Sequence, residues 1–244
     1  MRNIWTIAKR EYNHYFISPI AYVVAFTILL VLGFIFWIVL SFAAQNSYGP
    51  APDTTPLVMW FIYLLVFSAP ALTMRLVAEE VRMGTMELML TAPIRDYELI
   101  AGKWLGVFLF VLTIIAVTLI YPIILNNLVD PGIDQLQMRA AYLALILSAA
   151  SLLAVGVGIS AMFSNQIAAF MISLILFILL TFFISYPANF IPSAANFFNF
   201  ISIQTHIESM VAGQIKLTDI TYFFSLIAAG LFSGTMAIEI RRWR

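Results

Sequence analysis

The chain reads as an all-α integral membrane protein with six transmembrane helices, and three observations predict it. Mean hydropathy is +0.99 and only 10% of residues are charged, where soluble domains carry roughly a quarter. Uncharged runs recur at lengths that suit a bilayer, since a helix needs roughly 20 apolar residues to cross about 30 Å of hydrocarbon. Lys and Arg collect on one side of the resulting topology, as positive residues in short loops do when they stay in the cytoplasm.

The N-terminal run "MRNIWTIAKREYNHYF" puts Trp5, Ala8, Tyr12, Tyr15 and Phe16 on one helical face and Lys9, Arg10 and Asn13 on others. This pattern predicts an interfacial helix along the cytoplasmic leaflet; a ragged extension of the first span is the alternative. Its charges and the lack of a small-residue cleavage site do not suit a cleaved signal peptide. Six spans follow, at about 20–44, 57–78, 104–129, 140–163, 167–187 and 220–238, with spans four and five folded at the polar knot Ser164 to Gln166.

Three connections have a readable character. "QNSYGPAPDTTP" and "NNLVDPGIDQLQM" are external loops rich in turn residues. Residues 188–218 form an external segment in which Phe197, Phe200, Ile201, Ile207, Met210 and Val211 recur at helical spacing. An amphipathic helix at the outer interface fits, and so does packing beneath a neighbouring span.

With six spans both termini share a side. The cytoplasmic set is then Arg2, Lys9, Arg10, Arg75, Arg82, Arg95, Lys103, Arg241, Arg242 and Arg244, against Arg139 and Lys216 outside. Dropping any span scatters these charges across both sides, so the bias supports the count of six as well as the orientation.

Most chemistry is argued against by what the sequence lacks. Without cysteine there are no disulfides, thiolate sites or thiol nucleophiles. Without a basic stripe nucleic acid is not an expected partner. No span carries Asp, Glu, Lys, Arg or His at its centre, which disfavours proton coupling and leaves backbone-coordinated sodium open. His206 and Glu208 have no third ligand at metal spacing, so no metal is expected. The Gly102-Lys103 pair is followed by Trp104, and Tyr97 stands where a phosphate-cradling loop needs glycine. The chain is not expected to be an enzyme or its own ATPase. Small residues four apart, namely Gly102 and Gly106, Ala154 and Gly158, and Gly230 and Gly234, read as helix-packing positions, within the chain or between protomers.

The departure from this oily background is residues 79–103, "EEVRMGTMELMLTAPIRDYELIAGK", with eight charges in twenty-five positions. Span two is expected to continue past the membrane through Glu79 and Arg82. Gly84 then ends that helix, Thr85 caps a short new one over 86–91, and Pro93 closes it. Asp96 is the expected N-cap of the approach to span three. The short helix would expose Met86, Leu88, Met89 and Leu90 beside Glu87, an apolar face that calls for a partner's groove.

The pattern of Glu80, Gly84, Thr85, Glu87, Leu88, Thr91, Pro93, Gly102 and Lys103 resembles the first cytoplasmic loop of ABC-2-type transporter permeases. The likeness extends over the whole chain, from the aromatic N-terminal helix to "RRWR". The run Ser202, His206, Gly213, Ile215, Asp219, Tyr222 and Phe223 most resembles the gliding-motility-associated and copper-maturation branches, the first of them most closely. The resemblance implies a single transmembrane domain over 1–244, in a bacterial inner membrane, whose cytoplasmic coupling helix docks on a separate ATP-binding subunit. Two permease protomers, the same or homologous, would work with two ATPase subunits that bind ATP and Mg, the permease holding no cofactor. By the same resemblance Thr85 to Thr91 is the docking helix with Leu88 and Met89 as anchors. Glu80 and Glu87 contact the ATPase, and Gly102 and Lys103 form the hinge from loop to span. Export or extraction of an amphipathic or apolar cargo is the expectation; the alternative is an ATP-coupled anchor that transmits force to periplasmic auxiliary proteins without transport.

Overall fold

The computed structural model describes residues 2–45, 52–86 and 94–242. They are all-helical: α1 (Arg2–Tyr15), α2 (Pro19–Gln45), α3 (Thr55–Thr73), α4 (Ala78–Arg82), α5 (Asp96–Thr118), α6 (Ile120–Leu128), α7 (Gln135–Met162), α8 (Gln166–Ile178), α9 (Ala195–Ile201), α10 (Ile203–Val211) and α11 (Leu217–Arg242). Six helical stretches are long and apolar enough to cross a membrane: 19–45, 55–82, 96–128, 135–162, 166–188 and 217–242.

α1 is a helix of its own, closed by a turn in which His14 O accepts from Ile17 N and Ser18 N before Pro19 opens α2. It lies against the start of α5. A Cβ on Gly102 would fall 2.7 Å from Ile7 Cβ, and one on Gly106 2.6 Å from Glu11 Cβ, so the two glycines let the helix backbones touch. Ile7, Ala8, Glu11 and Tyr15 are therefore the buried face, while Trp5 is exposed. Tyr15 stacks on Phe110 and donates to Leu72 O at 2.8 Å, fastening α1 to α3 as well.

α7 is the hub, buried along most of its length and packed against α3, α5, α8, α10 and α11. Asp134 caps it, accepting from Leu136 N and Gln137 N. Asn165 does the same for α8 at the polar knot. The small residues at four-residue spacing join α7 to α11 within the chain: a Cβ on Gly158 would lie 2.5 Å from Gly230 O, and one on Gly230 2.5 Å from Ala154 C. α2 is the opposite case, burying only Ala21, Ile28 and Leu32 and turning Phe26, Phe34 and Trp37 outward. A helix apolar on every side suits lipid contact.

Spans two and three are broken, and span five passes from α8 into a π-helical turn over Leu179–Phe183. Between α5 and α6, Pro122 has no N–H for Thr118 O, and Tyr142 of α7 supplies the missing donor at 3.1 Å. Between α3 and α4 the chain turns through Met74 to Val77. Residues 188–218 are not one amphipathic helix. In α10, Ile207, Met210 and Val211 pack inward, while Phe197 and Phe200 of α9 stay exposed.

Candidate functional site

The start of α1 and the end of α11 reach the same end of the bundle. Arg242 pairs with Asp96 at the start of α5 (3.3 Å), and Arg241 donates to Met162 O at the end of α7. A cation at one helix end and an anion at another's start also answer the helix dipoles. At this basic end α1, α4 and α5 bring together charges that lie far apart in sequence.

Lys103 is the centre of that group and is 1% exposed. Its Nζ donates to Glu80 Oε1 at 2.7 Å and to Glu11 Oε1 at 3.2 Å, and Arg10 Nη2 donates to Glu11 Oε1 at 2.8 Å. An ammonium removed from water needs carboxylate partners, because an unpaired buried charge costs several kcal/mol. Burial would raise the Glu11 carboxyl, but Lys103 and Arg10 outweigh it and hold it below its usual value of 4.5. Glu80 Oε2 is buried without a hydrogen-bond partner. Beside the group a cavity of about 780 Å³ opens between the α1–α2 elbow and the end of α3, lined among others by His14, Ile17, Arg75 and Glu79.

This geometry revises several expectations for the charged loop. Within the chain Glu80 faces Lys103, drawn inward by the buried ammonium. Gly102 and Lys103 lie within α5, which begins at Asp96, and face α1. Arg95 rather than Asp96 occupies the N-cap, its N–H donating to Glu98 Oε2 at 3.2 Å. Gly84 ends α4 with φ +71°, a left-handed position that suits glycine. Thr85 and Met86 are already helical. The Thr85 hydroxyl donates back to Glu80 O at 3.3 Å, and Met86 is buried in the core, so its side chain is not offered to a partner. Glu87, Leu88, Met89, Thr91 and Pro93 lie outside the described residues.

Arg10 and Glu11 were missed by the sequence reading. The signal was a carboxylate at the four-residue step between Ile7 and Tyr15, on a stripe otherwise apolar. At the opposite end of the bundle a second polar group forms. His206 Nδ1 lies 2.7 Å from Asp219 Oδ1 and its Nε2 2.9 Å from Phe200 O, while Ser209 Oγ donates to Asp219 Oδ2 at 2.6 Å. Tyr222 stacks on the imidazole at 4.1 Å. Both His206 nitrogens are thereby engaged within the fold, and among the described residues no group of three His, Cys, Asp or Glu side chains could hold a metal ion.

A model of the ABC-2 family transporter proteins matches residues 58–238, most of the chain. The chain belongs to the ABC-2 transporter family. Comparison with curated proteins gives no match. As an ABC-2 permease it is the membrane component of an ATP-binding-cassette transporter and not the ATPase, and its family works with an ATPase partner and as paired permeases. α1, which supplies Arg10 and Glu11, lies before the matched residues.

Proposed function

We propose that this permease couples ATP hydrolysis on a separate subunit to export or extraction of a substrate across the bacterial inner membrane. The basic end faces the cytoplasm and carries the docking segment that begins at Thr85. The carrying observation is the Lys103 group: a short segment can deliver force to the spans only if its base is fixed, and Glu80 anchors α4 to α5 and α1 immediately before it. ATP and Mg bind on the partner ATPase, two copies of which serve two permease protomers, the same or homologous.

In this reading Leu88 and Met89 are the apolar anchors in the ATPase groove, with Glu87 beside them, Thr91 and Pro93 ending the element and Gly84 setting its direction. The run from Ser202 to Phe223 supports a finer placement in the gliding-motility-associated branch, since His206, Asp219, Tyr222 and Phe223 converge on one structure. A periplasmic auxiliary protein would then be a further partner on the opposite face.

Co-purification tests the docking assignment. Leu88→Asp combined with Met89→Asp is expected to reduce recovery of the ATPase at least tenfold while the permease remains folded, because two buried apolar anchors are each worth more than about 1 kcal/mol at such an interface. Unchanged recovery of the ATPase refutes it.

A further inference from the structure

The break in span two has an unusual internal cause. Ser160, fully buried on α7, donates its hydroxyl to Met74 O at 3.1 Å and accepts from Ala78 N and Val77 N, both at 3.2 Å. In an unbroken helix Ala78 N would bond Met74 O directly. The hydroxyl stands between that donor and that acceptor, one of the few ways a helix is kinked without proline at the kink. One donor hydrogen and two lone pairs make three bonds, so Ser160 is saturated.

The same stretch of α3 is weakened from within. Pro70 withholds an N–H, and Thr73 turns its hydroxyl back to Ala69 O at 2.8 Å. One turn up α7 from Ser160, Gly156 lets the helices touch, since a Cβ there would lie 2.4 Å from Thr73 Oγ1. The geometry leaves room for a second hydrogen-bonded arrangement beside the one observed. With Ser160 inserted, span two is split and its lower piece, α4, is tied to α7. With Ser160 withdrawn, Ala78 N can close on Met74 O and span two becomes one helix.

We infer that Ser160 is the positioning residue of a two-state joint, holding span two bent and tying the charged loop to the central span. It rests on the docking reading above only for what drives the joint. A segment moved by the ATPase pulls on α4, and the Ser160 tie passes the motion to α7 until it yields and span two straightens.

The chain has no cysteine, so Trp60→Cys with Arg82→Cys gives a spin-label pair on the two pieces of span two. A straight helix sets these positions about 33 Å apart, from 1.5 Å per residue, and the bent joint holds them closer. In the permease alone, Ser160→Ala is expected to move the distance to the straight-helix value, and Ser160→Thr, which keeps the hydroxyl, to leave it short. In the complex with the ATPase, ATP with vanadate is expected to move the otherwise native protein the same way. An unchanged distance in Ser160→Ala overturns the two-state joint. Straightening in Ser160→Ala without any response to nucleotide in the assembled complex overturns its role in coupling. Failure of the docking reading is seen separately, as unchanged ATPase recovery with the Leu88 and Met89 substitutions.

Discussion

The two ends of the bundle each bury a polar group, and they are built differently. At the basic end Lys103 joins Glu11 and Glu80 across separations of 92 and 23 residues, Arg10 remains half exposed, one Glu80 oxygen lacks a partner and a cavity lies alongside. At the opposite end His206, Ser209 and Asp219 lie within 13 residues and both Asp219 oxygens are engaged. Tyr222 covers the ring and ties its hydroxyl to Ile201 O at 2.6 Å. The first group holds three helices together through one cation and leaves room beside them. The second closes a short segment onto the last span and leaves no group on the ring free.

The largest effect is expected from breaking the first group. Lys103→Met removes the buried cation and leaves Glu11 and Glu80 with only the half-exposed Arg10 beside them, at 2.8 and 3.7 Å, a loss of up to about 3–5 kcal/mol for breaking a buried pair. Thermal unfolding followed by tryptophan fluorescence should show the loss. Adding Glu11→Gln and Glu80→Gln should recover most of it; no recovery would mean that Lys103 matters for packing alone.

A smaller and more local change is expected at the other end. Asp219→Ala strips a partner from His206 and from Ser209, at about 1–3 kcal/mol for a buried donor left unmet. Hydrogen exchange should rise over residues 202–211 and stay unchanged in α1. Spread of the effect to α1 would abolish the distinction between the ends.

Acid should separate them most gently. Glu11 is held below its usual value, so its stabilising contribution is complete above about pH 4.5 and is lost as pH falls through the depressed value. Protection of α1 amides should therefore fall at acid pH, and Glu11→Gln should flatten that part of the profile. An unaltered profile would place the acid-sensitive group elsewhere.

Several features were legible without a structure because they are local. Spans one and five appear within a residue or two of the uncharged runs that announced them, and Asn165 and Asp134 are cap residues at the places where polar residues interrupt the apolar pattern. Gly84 announced the end of α4 for the same reason, since few other residues take its backbone angle. The start of α5 was anticipated near Asp96, but the partners of Asp96, Glu98 and Lys103 were not legible. Their charges are answered by Arg242, by Asn3 and by Glu11 with Glu80, none of them near in sequence.

Hydropathy, charge placement and the spacing of small residues thus determined by themselves that the chain is helical, has six spans, gathers positive charge at one end and sets a charged segment between spans two and three. Tertiary structure alone decided that Glu80 turns inward, that Met86 is buried, that the small-residue pairs meet within one chain, and that Ser160 breaks span two from 82 residues away. The physical reason is one of range. Transfer of a helix into a bilayer sums over neighbouring residues, whereas a buried charge or an open backbone bond is satisfied by whichever group the fold brings within 3 Å.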